Sequence, residues 1–468
     1  MAKDTLHQTH YTRQVQHLLA KVYGKSAVKD SLLEQAIEYF EQKEFCPSDE
    51  KKSEDESQLE LMERTARHAS LLSITLTIIE LAEGEHDAEN NRKSAQFLGT
   101  IQLLSPTEGQ RIATRNEQSK SIYKAVLCLR LLDRLILDDQ MLDPYIKKYL
   151  TDISVEDYMN FAQHDALKNQ RFVEQVKVPL VMAALLQDIG NYHPKAQKIL
   201  LGVDGELDPF RTLEVEHRKE LLQINHRETI KYLSEGIGIP LFVGNTKAER
   251  EQFFVDEQGK LSFIKQLLKS SINPKNTIGN VLKVPQIYTS IILSTKENYS
   301  YKLLPKVFHV LNRSAELGAC TQSVVDALYT ITGMFPQGFG IVYMPLGEFG
   351  EKGDCYEYAI VNRLYPKKPE QPNCRLTTRR LTFIGYGQNS VVKIPSNLYF
   401  TQTAKKLARV SKERLHEILE LLCSNVEERK KLDLLPRCWH PSSFFSVKVN
   451  QNLWNKLAED QSKPLESD

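Results

Sequence analysis

The sequence predicts a mainly α-helical protein with a small β appendage near its C-terminal end. Three observations predict it. Apolar residues recur at helical spacing through most of the chain before Gly333. At Gly333 that rhythm gives way to short β-branched and aromatic segments separated by Gly, Pro and Asn. From Ala404 a last helical stripe follows, through Leu407, Val410, Leu415, Ile418, Leu419 and Leu422.

Taken in order, Tyr11, Val15, Leu18, Leu19 and Val22 make one apolar face, and Leu32, Leu33, Ala36, Ile37 and Phe40 a second. Pro47 to Glu56 is charged and stripe-free, which predicts a connection. Ser57-x-x-Glu60 has the spacing of a capping box and predicts a helix from there to about Ala82, stopped by Gly84. Ser105-Pro106 breaks the pattern, and Ile122, Val126, Leu129, Leu132, Leu135 and Ile136 resume it. Asp143-Pro144 ends or bends that helix. Glu156 to Gln175 reads as helix and carries His164; Pro179 then suits the first turn of an apolar helix that runs out at Gln187-Asp188. Tyr192 to Gly205 reads as loop, and Asp208-Pro209 as the start of a helix carrying His217 and His226, closed by Gly236 to Pro240. Helical patterns follow at Ile278–Leu293, Lys302–Leu311 and Val324–Ile331. Strands are predicted at Gly340–Met344, Tyr356–Arg363, Arg375–Ile384 and Val391–Ile394. Beyond Pro436 the pattern is ambiguous; Trp439-His440 reads as a packing anchor with a polar tip, and Gln461–Asp468 are polar enough to predict disorder. The breaks divide the chain into an N-terminal helical domain (1–115), a second helical domain (116–338), a β subdomain (339–400) and a C-terminal helix and tail (401–468).

Composition narrows the function. Of 468 residues, 41% are hydrophobic and 26% charged, as in a soluble globular protein. Lys plus Arg total 61 against 60 Asp plus Glu, so no overall basic excess draws the chain to nucleic acid or an anionic membrane. The opening residues lack an apolar segment of the secretory kind, and the longest uncharged apolar run free of Gly and Pro, Ala69 to Ile79, is far short of the ~20 residues that span a bilayer. Seven scattered cysteines, with no CxxC pair, predict reduced thiols and a cytoplasmic location.

Three separated stretches, in order, carry a resemblance, the third in two parts. Ala183-Ala-Leu-Leu-Gln187-Asp188-Ile-Gly190-Asn191 resembles the His-Asp-Ile-Gly-Lys signature of the HD-GYP branch of HD-domain phosphohydrolases. Leu222 to Gly236 is similar to that family's His-Pro-x-x-Gly-x-x-Leu helix, with His226 at the histidine. Asn280-Val-Leu-Lys-Val-Pro-Gln286-Ile-Tyr-Thr resembles its Val-Ala-Asp-x-Tyr-Asp helix, and Gly333-x-Phe-Pro-x-Gly338 its closing Gly-x-Tyr-Pro-x-Gly-Thr segment. The resemblance implies an HD-domain-like helical bundle over residues 116–338. In the family, divalent ions held by imidazoles and carboxylates activate a water and neutralise a cyclic dinucleotide's phosphodiester.

The departures fall on the ligand positions. Gln187 replaces the first histidine, Asn191 the lysine and Gln286 the aspartate. No histidine lies between His226 and His309, where the family's paired histidines and Gly-Tyr-Pro loop belong. Asp188, His226 and His164 remain as vestigial metal ligands. His217 competes with His226 by its spacing from Asp208; the flanking Ile230 and Leu233 favour His226. An amide oxygen binds iron or manganese less well than imidazole. The implied function is therefore a catalytically inactive bacterial signalling protein with no resident cofactor, acting by binding a protein partner or a cyclic dinucleotide. The alternatives are an active iron- or manganese-dependent cyclic di-GMP phosphodiesterase with a divergent site, and a helical scaffold whose N-terminal helices form a homodimer. Each candidate residue also has a structural reading: Asp188 as a helix-end hydrogen-bonding group, the histidines as surface or satisfied core residues, Lys367-Lys368 and Arg379-Arg380 as solvated charges.

Overall fold

The helix that the apolar run before Gln187 predicts is α10 (Val178–Leu186), and every one of its residues is buried. A helix apolar on all sides has to be enclosed. It packs against α3 (Glu54–Ala82), α5 (Ile112–Leu137) and α13 (Lys247–Ser270). The computed structural model describes residues 8–45, 54–106, 111–140, 143–275, 277–345, 354–423, 429 and 432–455. Around the centre stand α1 (His10–Tyr23), α2 (Leu32–Phe45), α4 (Asp87–Leu104), α14 (Asn280–Ile292), α15 (Val307–Glu316) and α16 (Gln322–Thr332). The chain is mainly helical with a small antiparallel sheet towards its C-terminal end. Among the described residues no helix is long and apolar enough to cross a membrane.

Several predicted elements differ in detail. The charged stretch Pro47 to Glu56 lies mostly outside the described residues, and α3 already begins at Glu54, so Ser57-x-x-Glu60 is not its cap. Glu60 instead pairs with Lys43 of α2 at 2.9 Å. Asp143 caps a five-residue helix, α6 (Pro144–Lys148). The predicted helix from Glu156 to Gln175 is three short pieces, α7 (Val155–Met159), α8 (Phe161–His164) and α9 (Ala166–Phe172). Local side-chain bonding wins there: Ser154 and Asp157 form a reciprocal capping box, and Asp165 caps α9 through the Lys168 N–H.

A π-turn, Val173–Lys177, joins α9 to α10. Proline at 179 has no N–H and leaves the Gln175 carbonyl without its helical donor. The Tyr145 hydroxyl donates to that carbonyl at 3.0 Å.

The stretch predicted as loop from Tyr192 contains α11 (Pro194–Leu201). Pro194 starts it rather than breaking it, with the His193 ring accepting from the Lys195 N–H and Gly202 ending it at φ 79°. Asp208-Pro209 forms a turn, with Asp208 Oδ1 accepting from the Phe210 N–H at 3.0 Å. The next helix, α12 (Val215–Lys231), begins seven residues further on. The 24-residue α13 has no apolar stripe in its first half and buries only Phe263, Ile264, Leu267 and Leu268.

The sheet has strands β1 (Gly340–Tyr343), β2 (Glu357–Val361), β3 (Asn373–Leu376), β6 (Asn389–Val391) and β7 (Cys438–Trp439), in the order β6-β3-β2-β1-β7. The predicted strand Arg375–Ile384 is interrupted: β4 (Thr378–Arg379) and β5 (Thr382–Phe383) form a separate hairpin, turning at Arg380 and Leu381 with φ 50° and 58°. The last predicted strand ends at Val391, before a 3-10 turn through Pro395. The final helix divides into α17 (Thr401–Leu407) and α18 (Lys412–Leu422), the second capped by Ser411.

The ambiguous tail supplies β7. Its Trp439 stacks on Tyr358 with ring centres 4.6 Å apart, and the indole N–H donates to the Ala359 carbonyl. Gly340 permits this pairing, since a Cβ there would lie 2.2 Å from the Trp439 carbonyl oxygen. One apolar cluster runs from Val15 to Trp454. Gln461–Asp468 and Cys46 lie outside the described residues, and Cys128, Cys320, Cys355, Cys374 and Cys438 are free thiols.

Inside this core lies a buried ionic network. Arg130, fully enclosed on α5, binds Glu83 at 2.6 Å and Asp133 at 2.8 Å. Lys177 from the π-turn contacts the same two carboxylates at 2.8 and 3.3 Å, and Tyr158 donates to Asp133 at 2.7 Å. The network ties together the ends of α3, α5, α7 and the π-turn.

Candidate functional site

Asp188 is the first residue after α10 to leave helical geometry, with φ −112° and ψ 9°. A 3-10 turn, Ile189–Tyr192, follows. The turn fits under α12 because position 190 is glycine: a Cβ there would lie 2.2 Å from the Asn225 carbonyl oxygen. The Gly190 N–H donates to Thr229 Oγ1, and Asn225 Nδ2 donates to the Gln187 carbonyl at 3.1 Å.

The two residues of the Gln-Asp pair turn to different neighbours. Gln187 is buried and donates weakly to Ser271 at the end of α13, 3.3 Å away, while its Oε1 has no hydrogen-bond partner among the described residues. Asp188 points between α5 and α14. Its Oδ2 lies 2.8 Å from the Lys124 ammonium, and its Oδ1 accepts from Gln286 Nε2 at 3.1 Å. Burial alone would raise the Asp188 pKa. Lys124, Lys120 and the Gln286 hydrogen bond outweigh it and hold the carboxyl below its ordinary value.

Gln286 thus stands against Asp188, although 98 residues separate them. Sequence reasoning singled out both positions and missed Lys124, which completes the contact. Asn191 lies in the 3-10 turn, where its N–H donates to the Asp188 carbonyl and its own carbonyl accepts from Gln197. His226 follows Asn225 on α12 and is half-buried; burial and then Lys269 lower its pKa. His217 is exposed near the start of α12. His164 is exposed and pairs with Asp157 at 3.2 Å. The structure therefore joins Asp188 to Gln286 and places His164 with Asp157 and His226 beside Lys269.

Around Asp188 the donor set does not fit a divalent ion. A metal needs several anionic or imidazole ligands on one centre. The Asp188 carboxylate faces an ammonium and an amide, and a divalent ion in the same place would meet the repulsion of Lys124. Among the described residues no group of three or more His, Cys, Asp or Glu is arranged to hold a metal.

The Asp188 side chain keeps 37% of its surface accessible, against 3% for Lys124. Tyr23 and Tyr192 lie within electrostatic reach of it, their rings 5.9 Å apart, and burial raises both phenols. Lys120 stands one helical turn before Lys124 on α5, paired with Glu117 at 2.8 Å. Lys283 stands one turn before Gln286 on α14.

Comparison with known proteins finds no matching protein-family model, no matching curated protein and no matching solved structure.

Proposed function

We propose that the chain carries a degenerate HD-GYP-like domain without hydrolytic activity, which acts in bacterial signalling by binding a protein partner or a nucleotide. The observation that carries this reading is the Lys124–Asp188 pair with Gln286 on the second carboxylate oxygen. On this reading the protein's own ammonium stands where the family would bring a cation, and hydrolysis loses the ion that activates the water. The meeting of Gln286 with Asp188 supports the family relationship itself, because the resemblance assigns both positions to one centre.

The test is metal content and turnover together. The purified full-length protein is expected to carry less than stoichiometric iron or manganese and to leave cyclic di-GMP intact. Stoichiometric manganese, with chelator-sensitive cleavage lost in Asp188→Ala, would overturn the reading in favour of a divergent phosphodiesterase.

A further inference from the structure

His193 occupies the N-cap of α11, a position where Ser, Thr, Asp or Asn is usual. Its Nδ1 accepts from the Lys195 N–H at 3.2 Å, so that nitrogen presents a lone pair and the proton of the neutral ring sits on Nε2. The cap therefore exists only in the neutral ring. A second proton has to go onto Nδ1, where it sets donor against donor.

Little else holds the start of α11. Ala196 is its one buried residue. Besides the cap, Gln197 Nε2 donates to the Asn191 carbonyl at 2.7 Å, and Arg211 donates to the Ile199 and Leu200 carbonyls at the far end. A short helix with so little apolar burial depends heavily on its cap.

The ring has an alternative partner close by. Nε2 faces Glu228 Oε2 at 3.9 Å, too far for a hydrogen bond, and the two side chains are 12% and 8% exposed. Both line an open cleft of about 660 Å³ between α2 and α12, with Phe40 edge-on to the imidazole at 5.4 Å. The charged groups around the ring are Lys43 and Glu44 of α2, Arg227, Glu228 and Lys231 of α12, Glu235 just beyond α12, and Lys195 on α11 itself. Arg227 binds Glu228 through Oε1 at 2.6 Å, which leaves Oε2 to His193 and to Lys231 at 3.8 Å. Burial opposes a second proton most strongly, Glu228 and Glu44 favour it, Lys195 and Arg227 oppose it, and the ring's pKa lies below its ordinary value.

We propose that His193 is a pH-operated cap: neutral, it closes the first turn of α11; protonated, it releases the Lys195 N–H and turns in the cleft to pair with Glu228. Acid thus exchanges a bond within α11 for an ion pair to α12. The change is local, because α11 contributes only Ala196 to the interior.

Hydrogen exchange of the full-length protein, read by mass spectrometry and corrected for the intrinsic effect of pH, tests it from about pH 7.5 to about pH 4. Exchange over residues 195–201 is expected to speed up by about fivefold as the His193 ring titrates, the effect of losing one cap. The buried residues 178–186 should keep their protection. The ring is followed by NMR and assigned by its absence from the His193→Asn spectrum. That variant carries a neutral cap at every pH, so it should keep the protection of the wild type at about pH 7.5 and lose the pH dependence. His193→Ala should exchange fast throughout. Unchanged wild-type protection through the titration of the ring overturns the proposal, and so does an undiminished pH dependence in His193→Asn.

Discussion

The Lys124 ammonium and the Asp188 carboxylate are unequal partners: 2.8 Å apart, one side chain is 3% exposed and the other 37%. Removing either leaves the other without its counter-charge, but only Asp188 has substantial solvent exposure to offset the loss. Asp188→Ala should therefore cost about 1–3 kcal/mol, and Lys124→Met less, about 1 kcal/mol or below. Because the folded-state pKa of Asp188 is lowered, the pair's contribution is complete above the ordinary aspartate range, near about pH 4, and fades as pH falls through the lower folded value. Urea denaturation of both variants at neutral pH checks the asymmetry. Equal losses would mean that solvent access does not govern the pair.

The network around Arg130 is enclosed on both sides of each pair. Arg130→Met would leave Glu83 and Asp133 with Lys177 alone, two buried carboxylates for one ammonium. A loss of about 3–5 kcal/mol is expected, the cost of breaking a buried pair on one side. Burial pushes the Asp133 pKa up, and Lys177, Arg130 and the Tyr158 hydroxyl bring it below its ordinary value. Its contribution is therefore present at neutral pH and lost in acid. A melting temperature for Arg130→Met within a degree or two of the wild type would show that the network contributes little.

The fold class and much of the helix sequence were legible because most helices bury a regular stripe, and stripes survive in a single sequence. Asp188 and Gln286 were singled out in the sequence, each as a motif position, but their hydrogen bond was not. Lys124, Arg130 and Asp133 were not, although their signal was present: each is a charge inside a helix apolar on nearly every side, and such a charge must have a partner. Their partners come from distant elements, which periodicity does not reveal. Helix α11 was hidden because Pro194 reads equally as a stop or a start. In α13 a charged, exposed first half masked four buried residues at its far end. Strand β7 is two residues long, too short for alternation to show.

Tyr145 gives a test of how the π-turn is tolerated. Its hydroxyl supplies the hydrogen bond that Pro179 cannot give the Gln175 carbonyl, and its ring stacks on Phe263 with centres 4.4 Å apart. Tyr145→Phe keeps the stack and removes the donor, so about 1–2 kcal/mol should be lost. In Pro179→Ala the backbone can regain its own donor, and the same tyrosine change should then cost less. A double-mutant cycle measured by denaturation reads the difference. Additive effects would separate Tyr145 from the proline.

His68 sets a pH dependence of opposite chemical origin from the carboxylates. It is buried on α3, and burial first, then the charges of Lys260 and Arg64, lowers its pKa to about 4. In the unfolded chain the ring titrates near about 6.5. Between those values the unfolded state binds the extra proton, so stability rises with pH through this window and is lost as pH falls. His193 and His226 are lowered as well, burial being the first cause in each, and they act with the same sign. His68→Leu removes one proton-binding group from the unfolded state and should flatten, without abolishing, the fall in melting temperature from pH 6.5 to pH 4. Parallel curves for wild type and His68→Leu across that range would show that the imidazole stays hydrated and charges freely in the folded protein.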